Sequence, residues 1–436
     1  MDRNRAPVRV GMLGLGTVGA GVADVLQGKD SSLGRRLGRP IVLGKVLVRD
    51  LNKTRSVPSG LLTASASDVI DSPDIDLVVE VLGGIDPAFD YVRRSLVNGK
   101  HVITANKELM ANHGLELLTV AQEHGCDLFF EASVGGGIPL IGPFRQDLAA
   151  NEITEIHAII NGTTNYILTR MTEDGASFHQ ALEEATEKGY AEPDPTNDVD
   201  GHDSAYKLAI LASLAFGGPV PPEAVYKEGI RHLSTVDFDY ARELGYTIKL
   251  LATSKRDAGG VEVRVHPALV TRDYLLSQVS GVENAVRIKG DLLGHALFAG
   301  RGAGPGPTSS AIVADLIDLV HNINSGTHAR IPARFDEGLV IKPMSEVISR
   351  YYFRVWVADR AGVLARIGQV CATTGISIAA LVQKEADPSS GTAEIVILTH
   401  AAREADMQAA VAGIAGLEVV DRVATLLRVE DLTDED

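Results

Sequence analysis

The chain has 436 residues, too many for one hydrophobic core, so two or three domains are expected. Its formal net charge of −16 argues against non-specific nucleic-acid binding and against attraction to an anionic membrane surface. The two cysteines, Cys126 and Cys371, lie far apart and form neither a disulfide framework nor a zinc motif, so a reducing cytoplasm is the expected location. The opening residues run at once into an apolar strand pattern, with none of the regions of a leader peptide. No apolar run is long enough to span a bilayer, and no membrane association is expected.

In chain order, Val8 to Leu15 reads as a buried strand, followed by the turn Gly14-Leu15-Gly16-Thr17-Val18-Gly19 and a helix through Val22, Val25 and Leu26. Ile41 to Val48, Ile75 to Gly84, Lys100 to Lys107 and Cys126 to Gly137 supply further strands, with helix-length segments between them. Strands alternating with helices predict an α/β fold with a Rossmann-type doubly wound parallel sheet over residues 1–150. The rhythm then changes. Residues 151–302 read as an α+β domain, with a strand at Ile153 to Gly162 and a strong helix from Ser204 to Gly217. Residues 303–333 open on a glycine-proline turn and a helix, and are expected to return to the first domain. Residues 334–350 lack a clear period and read as a linker. Residues 351–429 give a compact βαββαβ pattern, and 430–436 an acidic tail.

The glycine turn stands after a strand and before a helix, where a dinucleotide fingerprint needs it. Its glycines let backbone N–H groups approach a pyrophosphate at a helix N-terminus. The alternative is a tight turn with no ligand. The second strand ends at Arg49-Asp50, later than the usual spacing of about 20 residues. An acidic residue there favours a free ribose hydroxyl and an arginine favours a 2′-phosphate. Arg49, with Lys53 and Arg55 behind it, tilts the reading to NADP over NAD, unless the three form a solvated basic edge.

Lys107 follows a strand at the start of a helix, at the end of the sheet that faces a ligand crevice. A lysine there is unfavourable for the helix dipole, which invites a functional reading. The stretch GYAEPDPTNDVDGHDSAYK, Gly189 to Lys207, sets Glu192, Asp194, Asp198, Asp200 and Asp203 ahead of one amine. Asp203 and Lys207 share a helical face, and that pair alone would be an ordinary surface ion pair. Tyr206, Leu208, Ile210, Leu211 and Leu214 mark the helix as largely buried, and a buried lysine beside carboxylates can move protons. The spacing fits no calcium loop.

These stretches, with TANK (Thr104 to Lys107), EASVGGGIP (Glu131 to Pro139), NGTTNYIL (Asn161 to Leu168) and GAGPGPTSS (Gly302 to Ser310), make the chain resemble the homoserine dehydrogenases over essentially its whole length. The resemblance implies interconversion of L-homoserine and L-aspartate 4-semialdehyde with NAD or NADP. It implies Lys207 as the proton-transferring lysine, Asp203 beside it, and Lys107 where substrate and nicotinamide meet. Gly189 and Glu192 would line the amino-acid pocket, with Glu192 and Asp203 facing the substrate ammonium. Gly14, Gly16, Thr17, Val18, Gly19, Arg49, Gly83, Lys107, Gly302 and Gly304 would hold the cofactor. A monovalent cation, sodium, would sit at Glu131 and the backbone oxygens of Val134, Gly136 and Ile138, with a plain strand-end turn as the alternative. Asp194, Asp198 and Asp200 are better read as loop caps or solvated charges.

The C-terminal pattern with DRAGVLARIGQV resembles an ACT domain, whose loop Asp359 to Gly362 implies an effector site and feedback inhibition by L-threonine. A dimerisation module without a ligand is the alternative. Val363, Leu364, Ile367, Val370 and Cys371 read as one core-facing stripe. The resemblance implies 151–302 as the substrate-binding and dimerisation domain of a homodimer or homotetramer, and no aspartate kinase segment is expected before the glycine turn. Against the enzyme stand a non-catalytic dinucleotide and amino-acid sensor, and a related amino-acid dehydrogenase.

Overall fold

The computed structural model describes residues 6–328, 335–336, 338–384 and 391–430. Outside them lie the first residues of the expected dinucleotide domain, the end of 303–333, two linker positions (334 and 337), part of the C-terminal module and the tail after Glu430. The chain folds into two compact units. The first draws on 1–153, 206–224 and 284–339, the second on 154–205, 225–283 and 340–436.

The first unit is built on a parallel sheet of the strands Leu62–Thr63, Ile41–Leu47, Val8–Leu13, Leu77–Glu80, His101–Thr104 and Leu128–Phe129, in that spatial order. In chain order this is 3-2-1-4-5-6, the doubly wound arrangement. The direction of winding reverses between Val8–Leu13 and Leu77–Glu80, paired Met12 to Val79, which opens a crevice beyond their carboxyl ends. Val8, Val10, Met12, Leu77, Val79 and Ile103 are buried, because helices cover the sheet and its strands are therefore apolar throughout. Helix Thr17–Leu37 buries Val22, Leu26, Leu33 and Leu37 and stops at Gly38, whose φ of 73° only glycine adopts freely. Helix Pro305–Ser325 packs on it through Gly21, where a Cβ would come within 2.5 Å of the Ser309 hydroxyl.

In the second unit a long hairpin, Tyr246–Asp257 with Gly260–Thr271, pairs along its whole length. Strand Ile153–Ile159 adds to one side. On the other side Val420–Glu430 joins Gly260–Thr271 in parallel, Leu269 against Val429. Ile348–Ala358, Thr392–Thr399 and Ile378–Gln383 follow. The C-terminal βαββαβ module thus continues the central sheet through its last strand. Its helices, Val363–Thr373 and Glu404–Ala415, bury Val363, Ile367, Cys371, Met407, Ala410 and Ile414 against Tyr351, Phe353, Val355 and Val357. Leu364 is 44% exposed, so the apolar stripe is narrower than the sequence pattern suggests.

Three buried arginines cross this seam. Arg264 pairs with Glu262 and, at 2.5 Å, Glu430. Arg428 pairs with Glu404 at 2.6 Å and Glu228 at 2.5 Å. Arg354 pairs with Asp237 at 2.8 Å and Glu394 at 2.5 Å. Desolvated pairs of this kind add little net stability against an apolar alternative, but removing one partner strands a charge.

Candidate functional site

The glycine turn occupies the crevice of the first unit. Gly14 has φ 106°, and a Cβ there would stand 2.9 Å from the Val81 carbonyl oxygen. A Cβ on Gly19 would stand 2.7 Å from the Gly14 oxygen, so this glycine permits close packing of helix on strand. Gly16 has no atom within 4 Å of its Cβ position; it and Thr17 are exposed at the helix start, with Val18 half-buried. The helix opens without a side-chain cap, leaving its first N–H groups for an anion. Gly83, with φ 75° and open space about it, lies past the neighbouring strand. These features fit a pyrophosphate.

Past the second strand, Arg49 and Asp50 are exposed. The Asp50 carboxylate accepts from Asn52 N at 2.8 Å. Arg55 donates to the backbone oxygens of Asp50 and Lys53, at 2.6 and 2.8 Å, and so closes the loop.

Lys107 is set by Thr104 and Asn106 before it. Thr104 donates its hydroxyl to Glu80 at 2.5 Å and accepts from Asn106 N at 3.0 Å. The Asn106 side chain donates to the Gly84 oxygen at 2.6 Å and accepts from Leu109 N at 3.1 Å, capping helix Lys107–Glu123. Lys107 is therefore the first helical residue beyond strand His101–Thr104, half-buried. Glu80, fully buried, also accepts from Leu82 N at 2.6 Å. Burial pushes its carboxyl above the usual range, against the pull of Thr104, Leu82, Gly83 and Asn106. The sequence reading passed over Glu80 and Asn106. The signal for Glu80 was an acid inside an apolar strand, LVVEV.

In the second unit Asn161 caps helix Gly162–Asp174 by accepting from Thr164 N at 2.8 Å. Its amide hydrogens go to Asp198 at 2.6 Å and to buried Asp203 at 2.8 Å. Asp203 is the second residue of helix His202–Phe216; Lys207, half-buried, lies on the same helix one turn on, in the part that belongs to the first unit. Gly189, φ 73°, lies just past helix Phe178–Glu187 and its cap Lys188, and Glu192 is exposed beside Pro193. The remaining acids divide as loop elements. Asp194 accepts from Thr196 N at 3.1 Å, and the hydrogen bonds from Thr196 hold its carboxyl below the usual range. Asp200 pairs with Arg231 at 2.6 Å.

Glu131 lies in the first unit, buried. Its carboxylate accepts from Leu140 N at 2.5 Å, Ile141 N at 2.9 Å and Gly142 N at 2.7 Å. Its own amide donates to Asp315 at 2.9 Å. Burial, then the Glu131 charge, pushes the Asp315 carboxyl well up. Three accepted bonds leave a carboxylate room for about one more partner. Gly135 and Gly136 take φ 73° and 58°, turning the backbone around Val134, Gly136 and Ile138. A Cβ on Gly136 would meet the Gly302 oxygen at 2.4 Å, so this turn and the turn at Gly302 and Gly304 touch backbone to backbone. Carboxylate and carbonyl oxygens are hard donors, which suit a hard cation rather than a soft metal.

No helix among the described residues is long and apolar enough to cross a membrane. Family models match in three stretches: homoserine dehydrogenase at 139–317, homoserine dehydrogenase NAD binding domain at 14–131, and ACT domain at 351–416. The homoserine dehydrogenase of Neisseria gonorrhoeae is 43% identical over 98% of this chain and 100% of its own length. That of Bacillus subtilis is 40% identical over 97% and 98%. A solved homoserine dehydrogenase from Thiobacillus denitrificans aligns with a TM-score of 0.92 at 45% identity, covering 98% of this chain and 99% of that one. A hyperthermophilic archaeal homoserine dehydrogenase in complex with NADPH aligns at 0.61 and 28% identity, over 72% of this chain and 98% of that one.

Proposed function

The chain belongs to the homoserine dehydrogenase family and carries an ACT domain, and from that premise we propose that it reduces L-aspartate 4-semialdehyde reversibly to L-homoserine, preferring NADP(H). The observation that carries the reading is the lock of Glu80, Thr104 and Asn106, which sets a lysine at the carboxyl end of the parallel sheet, two strands from the glycine turn.

The nicotinamide, when bound, supplies hydride to the aldehyde carbon. Lys207 gives the proton to the carbonyl oxygen as negative charge grows there. Lys107 adds positive charge and orients the same group. Glu192 and Asp203 take the substrate ammonium, and Gly189 lets the loop approach it. The glycine turn and Gly83, with Gly302 and Gly304, hold the dinucleotide, and Arg49 meets its 2′-phosphate. Sodium at Glu131 and the oxygens of Val134, Gly136 and Ile138 has a structural role. L-threonine acts at the Asp359 to Gly362 loop. The chain works in the cytoplasm, in threonine, methionine and isoleucine biosynthesis, as a homodimer through its middle domain, doubled to a tetramer by ACT pairing.

A steady-state assay with L-homoserine, each cofactor, and threonine present or absent tests this. Turnover with both cofactors, a lower KM for NADP and inhibition by threonine are expected. No turnover with either cofactor overturns the enzymatic reading in favour of a sensor. Turnover without threonine inhibition or binding overturns only the regulatory part.

A further inference from the structure

A polar cavity of about 350 Å3 lies wholly inside the second unit. Helix Gly162–Asp174, helix Thr235–Glu243, the start of strand Tyr246–Asp257 and the loop from Arg272 to Ser280 wall it. It is of ligand-binding size. Lys249 lines it, only 4% exposed. Its ammonium donates to the Val279 carbonyl oxygen at 2.6 Å and to Asn165 Oδ1 at 3.5 Å, and no carboxylate among the described residues lies within ion-pair distance. The arginines of the sheet seam, by contrast, all have carboxylate partners. A buried ammonium with only neutral acceptors is left short of the hydration it has in water, a deficit an incoming anion offsets.

We propose that this cavity is a binding site for a small organic carboxylate, whose carboxylate meets Lys249 while the exposed Arg272 and Arg242 at the rim draw it in. The other donors explain why a carboxylate fits better than phosphate. The Thr169 hydroxyl is committed to the Asn165 oxygen at 2.7 Å, and the Ser277 hydroxyl to the backbone at 2.6 Å. Phe238, Ala241 and Ile248 give the walls an apolar part that suits a carbon body. Arg242 also pairs with Asp239, and Glu173 brings a negative charge to the rim, which disfavours the higher charge of phosphate. Burial pushes Lys249 down to about 8, with Glu173 working in the other direction. A carboxylate held there raises it again, so the affinity falls as pH climbs past about 8.

The test is calorimetric titration of the full chain with succinate, and separately with inorganic phosphate. Saturable succinate binding is expected, weakened about tenfold or more in Lys249→Met and less in Arg272→Ala. Succinate should also slow acetylation of Lys249 by acetic anhydride, read by peptide mass. Arg272 is exposed, so its variant and the protection experiment decide the matter if Lys249→Met does not fold. Absence of saturable binding, affinity unchanged in the variants, or no protection overturns the site. Phosphate bound as tightly as succinate overturns the carboxylate assignment. None of these readouts depends on turnover, so they fail separately from the dehydrogenase reading.

Discussion

Asn161 holds Asp203: its side-chain amide donates to Asp203 Oδ2 at 2.8 Å while its carbonyl oxygen caps the helix that begins at Gly162. One side chain therefore fixes both a helix start and the carboxylate assigned to the substrate ammonium. Asn161→Ala should cost about 1–2 kcal/mol in urea unfolding, the usual worth of such a cap. It should also raise the KM for homoserine while leaving the KM for the dinucleotide near the wild-type value. Equal changes in both KM values would reduce Asn161 to a structural cap.

Lys207→Ala should lower kcat by about 10²-fold or more, the usual contribution of a positioned proton donor. NADPH binding, followed by quenching of its fluorescence, should persist. Near-normal turnover would remove Lys207 from the chemistry. Lys107→Ala should impair KM and kcat together.

Gly14→Ala places a Cβ 2.9 Å from the Val81 oxygen in a left-handed backbone, so the turn must shift. Dinucleotide affinity should fall by about tenfold or more, whereas Gly38→Ala, at an open helix end, should leave it unchanged. Calorimetry with NADPH compares the two.

Glu430 is fully buried between Arg264 and Lys255. Burial alone would raise its carboxyl, but Lys255, Arg264 and the nearby histidines hold it well below the usual range. With the folded value depressed, its stabilisation is complete above the unfolded value of about 4.3 and is lost as pH falls below that. Glu430→Gln strands Arg264 beside Glu262 alone and should cost on the order of 3 kcal/mol at neutral pH. The deficit relative to wild type should narrow below pH about 4 in denaturant titrations. A deficit constant across that window would contradict the assignment.

Lys249 has the opposite consequence. Its folded value of about 8 lies below an unfolded value near 10.4, so between these the unfolded chain binds more protons and stability rises with pH. From pH 8 to 10 the stability of wild type relative to Lys249→Met should shift in favour of wild type by about 2 kcal/mol. A flat difference would mean that the lysine stays charged when buried.

Five of the six strands of the parallel sheet, the glycine turn, the Thr104 to Lys107 stretch and the C-terminal βαββαβ order could be read from the chain, because each is a local pattern; the two-residue edge strand Leu62–Thr63 is too short to carry a period. Period-two and period-3.6 apolar runs, punctuated by glycine, carry their own geometry over a dozen residues. The motifs in order were enough to indicate the family. Partners far apart along the chain were beyond such reading. Arg264 meets Glu430 across 166 positions, and the Glu131 amide meets Asp315 across 184. An acid in the Gly189 to Lys207 stretch looks the same whether it caps a turn, as Asp194 does, pairs with Arg231, as Asp200 does, or is buried under Asn161, as Asp203 is. Desolvation distinguishes these roles, and desolvation is a property of the packed neighbours rather than of the residue. The same holds for Leu364, apolar on the helical wheel yet turned outward, and for Lys249, an unremarkable strand lysine until the surrounding elements close over it.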